Sequence, residues 1–89
     1  MKAVITVIGV DKVGIIAKVS NVLADYNANI LDITQTTMDD MFTMIMMVSV
    51  KDLSGKFVEL ADALEQAGKE LGLQIKITQE DIYRSMHRI

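Results

Sequence analysis

The chain has 89 residues, about half of them hydrophobic (51%) and a quarter charged (24%), with a net charge of −3. This is the profile of one soluble globular domain that buries only roughly 60–65% of its unfolded surface. With no cysteine there is neither a disulfide framework nor a thiolate metal site. The nine Lys and Arg are scattered from Lys2 to Arg88 rather than clustered, against the basic face of a nucleic-acid binder.

The first element is an apolar, β-branched run, Ala3 to Val10. It passes straight into Asp11-Lys12 without a small-residue cleavage site, so it reads as a strand rather than a signal peptide. Residues Lys2 to Gly9 are apolar on both alternating faces, as in a central strand. From Gly14 the period changes. Ile15, Ile16, Val19, Val22, Leu23 and Tyr26 form one helical stripe, with Lys18, Asn21 and Asp25 on the wet side and Asn27 as a left-handed stop.

Ile30 to Met38 reads as a second strand, with Leu31 and Ile33 on one face and Asp32, Thr34 and Thr36 on the other. Asp39-Asp40 makes a tight turn into a third strand, Met41 to Val50, again apolar on both faces. A second helix starts at Asp52 or Ser54 and carries Leu53, Phe57, Leu60, Leu64, Ala67 and Leu71 before Gly72 ends it. Leu73 to Gln79 alternates strictly, as an edge strand facing water does. Ile82, Tyr83, Met86 and Ile89 suggest a short terminal helix. No apolar stretch reaches the ~20 residues of a membrane span.

The order β-α-β-β-α-β predicts an α+β ferredoxin-like sandwich: a four-stranded antiparallel sheet, two helices on one face, and a short C-terminal helical tail. We expect one domain over residues 1–79 and a tail over 80–89. Strands one and three belong at the centre, strands two and four at the edges. The face away from the helices keeps apolar residues that need a cover, either the tail, a second copy, or both. Met41, Met44, Met46 and Met47 read as adaptable filler. Met44 and Met46 are assigned to the open face, either as filler or as a contact surface.

Gly9-x-x-x-x-Gly14 has the spacing of a phosphate loop, but Ile15-Ile16 stand where that motif needs Lys and Ser or Thr. An RNA-binding sheet needs aromatics that the central strands lack, apart from Phe42. Both arginines, Arg84 and Arg88, lie in the tail, away from any loop that would cradle an acyl phosphate. His87 is also in the tail, Ser20 and Ser49 have no base marked for them, and Asp39 and Asp40 suit a hairpin turn. No catalytic constellation can be assembled, so the chain reads as a non-enzyme.

With "GVDKVGIIAKVSNVLADYNANILDITQ" placed on β-α-β, the chain resembles the ACT domain, the small-molecule-sensing module of amino-acid metabolism. The cues are Asp11-Lys12-x-Gly14-Ile15-x-Ala17 and Asn29-Ile30-x-Asp32-Ile33-x-Gln35, and the likeness runs from Lys2 to Gln79. It is nearest to stand-alone bacterial and archaeal members and to the ACT parts of glycine-cleavage repressor and formyltetrahydrofolate deformylase proteins. The resemblance implies dimers paired through their second strands into an eight-stranded sheet. It also implies an amino acid held between Gly9, Asp11, Lys12, Gly14, Ile15 and Ile16 of one subunit and Asn29 and Ile30 of its neighbour.

The chemistry of these positions suits that ligand. A helix N-terminus favours a carboxylate, Asp11 can accept from an ammonium, and Gly14 permits close approach. The same residues also have structural uses. Asp11 is equally good as the helix N-cap, Asn29 as the closer of the helix–strand turn, and Lys12 as a solvated side chain. Val13 replaces the proline common in such loops, and Asn27-Ala28 the usual glycine-like corner. The expectation is a cytoplasmic, non-catalytic homodimer or higher oligomer. It would need no cofactor or metal, sense an amino acid and signal to a separate enzyme or regulator. The alternative is an interaction module that binds no ligand.

Overall fold

The computed structural model describes residues 1–86; the predictions for His87, Arg88 and Ile89 lie outside the described residues. In chain order the elements are β1 (Lys2–Val10), α1 (Ile15–Asp25), β2 (Asn29–Met38), β3 (Met41–Ser49), α2 (Phe57–Leu71), β4 (Leu73–Gln79) and α3 (Glu80–Met86). The strands form one antiparallel sheet in the order β2-β3-β1-β4. The doubly apolar strands are central and the half-polar ones are edges, as their patterns require.

The core lies between the sheet and the two long helices. Ala3, Ile5 and Val7 from β1 meet Ile15, Val19 and Leu23 from α1 and Leu60, Leu64 and Ala67 from α2. Phe42, Met44, Met46 and Val48 complete it from β3. Met44 and Met46 are fully buried, which corrects their assignment to the open face. Met44 pairs with Val7 and Met46 with Ile5, so antiparallel register places them on the helix side. The open-face residues of β3 are Met41, Thr43, Ile45 and Met47.

Local chemistry sets the boundaries. Asn27 takes a left-handed conformation (φ 57°) after α1, and its side-chain amide donates to the Asp52 carbonyl at 2.9 Å. Ser54 N–H donates to the Tyr26 carbonyl at 2.8 Å, so the end of α1 is fastened to the loop before α2. That loop is longer than the sequence suggests. Helix α2 starts at Phe57 rather than at Asp52 or Ser54, because Gly55 has φ 93° and breaks any helical path. Lys56 N–H instead donates to the Glu59 carboxylate at 2.7 Å, the reciprocal half of a capping box.

Two further differences concern β2 and the open face. The expected alternation of β2 is interrupted by a bulge between Ile30 and Asp32. Ile30 and Ile33 therefore share the helix side, and Leu31 is the extra residue. On the open face α3 packs against β1 and β4. Val4, which belongs to that face, is only 3% exposed there. The tail thus covers part of the open face and leaves Ile8, Val10, Met41 and Ile45 exposed.

Candidate functional site

The loop from Asp11 to Gly14 is held at both ends. Asp11 N–H donates to the Asp40 carbonyl in the β2–β3 turn at 2.8 Å. Gly14, with φ 94°, is the residue that turns the chain into α1. The first helical bond runs from Lys18 N–H to the Gly14 carbonyl. Asp11 does not cap α1: the N-cap position is Gly14, with no side-chain cap bond. That removes the structural alternative for Asp11, whose carboxylate is left exposed.

The N–H groups of Ile15, Ile16 and Ala17 have no intrahelical acceptor, and no acidic residue stands in the first turn. The positive end of α1 is therefore uncompensated. It opens onto a cleft of about 450 Å³ whose walls include Asp11, Lys12, Gly14, Ile15 and Ile16. The sequence places Ile16 in the buried stripe, but it is 42% exposed because it borders this cleft.

Across the cleft stand three residues that the sequence reading missed: Gln35 and Thr37 from β2 and Phe42 from β3. Thr37 pairs with Phe42 and Gln35 with Met44, so both polar side chains occupy helix-facing positions. Counting by twos from Ile33 would have found them, since a polar residue facing the helix layer of an edge strand has no packing reason to be there.

Of the predicted residues, Gly9, Asn29 and Ile30 lie outside this cleft. Gly9 sits within β1 opposite Leu73 and Phe42, and an added Cβ would collide with the Leu73 side chain. Its need for glycine is thus a packing one. Lys12 borders the cleft, but its Nζ lies 3.5 Å from where a Cβ on Gly72 would stand, over the C-terminal end of α2. Asn29 and Ile30 start β2 beside Ser49 and Val48, at the opposite end of the strand from Thr37. Five residues of extended chain, about 16 Å, separate Ile30 from Gln35, the first β2 residue of the cleft in its own subunit.

The edge of β2 differs from the rest of the sheet. All its residues are exposed except the half-buried Ile30, although they include Leu31, Ile33 and Met38. Apart from Ile33 N–H, which donates to the Asp32 carboxylate at 2.9 Å, the outer edge of this ten-residue strand has no neighbouring strand and forms a template for one.

A family model described as ACT domain matches residues 2–78. The chain belongs to the ACT domain family. Members of this family are typically regulatory, ligand-binding modules. A UPF0237 protein of Methanococcus maripaludis is 55% identical over 86 residues, 97% of this chain and 96% of that protein. The solved structure of an ACT domain protein from Streptococcus pneumoniae is 43% identical, covers 93% of each chain and superposes with a TM-score of 0.80.

Larger proteins contain the same unit. A formyltetrahydrofolate deformylase from Pseudomonas syringae is 28% identical over 88% of this ACT domain and 27% of its own chain, at a TM-score of 0.75. The regulatory subunit of aspartate kinase from Thermus thermophilus is 30% identical, over 86% of this domain and 50% of its own chain, at 0.67. Among the described residues no cluster of metal ligands occurs and no helix is long and apolar enough to cross a membrane.

Proposed function

We propose that this ACT domain is a non-catalytic sensor, a homodimer that binds a small amino acid and passes its occupancy to a separate partner. The observation that carries the reading is the uncapped N-terminus of α1 opening onto a cleft beside the exposed carboxylate of Asp11. Free N–H groups and helix polarity suit the ligand's carboxylate, and Asp11 suits its ammonium. Gln35 and Thr37 add neutral donors and acceptors on the far wall.

The exposed β2 edge supplies the other half of the reading. If two β2 strands pair antiparallel about an axis near their middle, the start of one comes alongside the end of the other. Asn29 and Ile30 of a second copy then stand near Met38 and Thr37, at the mouth of the cleft. Two ten-residue edges would be satisfied at once. Ligand binding would then act by shifting association with a second protein, through its differential affinity for the two states. The reading places the dimer in the cytoplasm.

A thermal-shift screen of the purified protein against the common amino acids tests this. A ligand at 100 times its dissociation constant adds about 2.7 kcal/mol of stability. Asp11→Ala and Asn29→Ala should each remove that shift while leaving the ligand-free melting temperature nearly unchanged, because both side chains are exposed. If no amino acid raises the melting temperature at millimolar concentration, the sensor reading fails and an interaction module without a ligand takes its place.

A further inference from the structure

We propose that the space between the open face of the sheet and α3 is a second ligand site, fitted to a small monocarboxylate with an apolar body, of the medium-chain or aryl type. Ile8 and Ile45 sit on the two central strands, yet they are 45% and 40% exposed, whereas the helix-facing residues of the same strands are almost fully buried. Helix α3 covers Val4 but does not close over these two. It leaves a cleft of about 360 Å³ with Met86 on its outer wall. That volume is within the ~300–1,000 Å³ typical of small-molecule pockets.

The lining has a direction. Ile8, Ile45 and Met86 supply an apolar region, Thr6 and Thr43 supply hydroxyls beside it, and Lys76 supplies a cation at the β4 margin. Lys76 lies beside Thr6 in the strand register. Among the described residues it forms no ion pair. The Glu65 carboxylate, which borders the same outer groove as Lys76, is paired instead with Lys69 at 3.8 Å. A carboxylate at Lys76 with its apolar body over Ile8 and Ile45 satisfies both halves of the cleft.

The size favours a small occupant over a protein. A stable interface covers about 800 Å² on each partner, and α3 already stands over part of this face. The site uses neither Asp11 nor Asn29, so it can fail while the amino-acid reading stands, and the reverse.

The test is a titration with submicellar octanoate, followed by NMR of the Ile and Met methyl groups. Saturable shifts are expected at Ile8, Ile45 and Met86, with octylammonium binding at least about fivefold more weakly than octanoate. Lys76→Met should weaken octanoate about fivefold, as expected for one exposed ion pair, and leave octan-1-ol binding within about twofold. Ile45→Trp, which fills the cleft, should abolish both. The proposal is overturned if octanoate causes no saturable shift at millimolar concentration, or if octylammonium binds as tightly as octanoate. Shifts at Ile15 and Ile16 instead would also overturn it. So would shifts of the open-face methyls that depend on protein concentration alone, since a second copy would then be the occupant.

Discussion

The two edges of the sheet share a type but not a fate. In β4, Leu73 and Ile75 are buried and Ile77 is half-buried, because α2 runs directly over the strand. Gly68 makes that approach possible: a Cβ there would stand 2.7 Å from the Leu73 carbonyl and 3.2 Å from the Ile75 side chain. In β2 the equivalent apolar residue, Ile33, is 39% exposed, and no glycine brings α1 down onto it. One edge is finished within the chain and the other is left open. Stability therefore concentrates around β4, while the proposed recognition surface lies along β2.

The largest test of this contrast compares matched truncations. Ile75→Ala should cost about 2–5 kcal/mol in denaturant unfolding, as large-to-small changes in a packed core do. Ile33→Ala should cost less than about 1 kcal/mol when measured at concentrations low enough to keep the chain monomeric. Equal costs would mean that β2 is covered as well as β4 is.

A second test turns on association. In a β2–β2 pair the two Ile33 side chains would be close neighbours near the axis, and Ile33→Lys would set like charges against each other. Light scattering at micromolar concentration should give a dimer mass for the natural sequence and a monomer mass for the variant. A monomer in both cases sinks the edge-pairing reading.

The smallest effect concerns the helix layer that spans the two edges. Lys18 of α1 pairs with Glu70 of α2 at 2.7 Å, and its hydrogen bond, aided by its charge, holds the Glu70 carboxyl below the ordinary value of 4.5. A depressed carboxylate contributes stability above its unfolded pKa and loses it as pH falls through the folded value. Melting temperature should therefore decline below about pH 4.5, and Lys18→Met should make this part of the decline shallower. Both side chains are nearly half exposed, so salt should weaken the effect further.

Much of this was legible in the residues. The doubly apolar β1 and β3, the strict alternation of β4, and the stops at Asn27 and Gly72 are local signals, and each is realised where it was read. The start of α2 was misread because Asp52 and Ser54 resemble caps, while Gly55 and the Glu59 carboxylate decide the matter a turn later. The facing of Met44 and Met46 was misread because a strand apolar on both sides carries no phase of its own. Register against Val7 and Ile5 supplies it.

The candidate site divides along the same line. Contiguous residues Asp11 to Ile16 identified the helix N-terminus, because turn chemistry depends on neighbours in sequence. Gln35, Thr37 and Phe42 came into view only when β2 and β3 folded back beneath that loop. Tertiary structure also decided what Asp11 does not do, since the chain turns at Gly14 and leaves the carboxylate uncommitted. The sequence by itself determined most of the elements and their central or edge rank, which follow from local propensity and burial period, while the family resemblance rested on the motifs Asp11 to Ala17 and Asn29 to Gln35. Only the folded chain decided that α2 closes β4, that α3 covers part of the open face, and that β2 stands bare. Those outcomes depend on how far each helix reaches across the sheet, which no local pattern encodes.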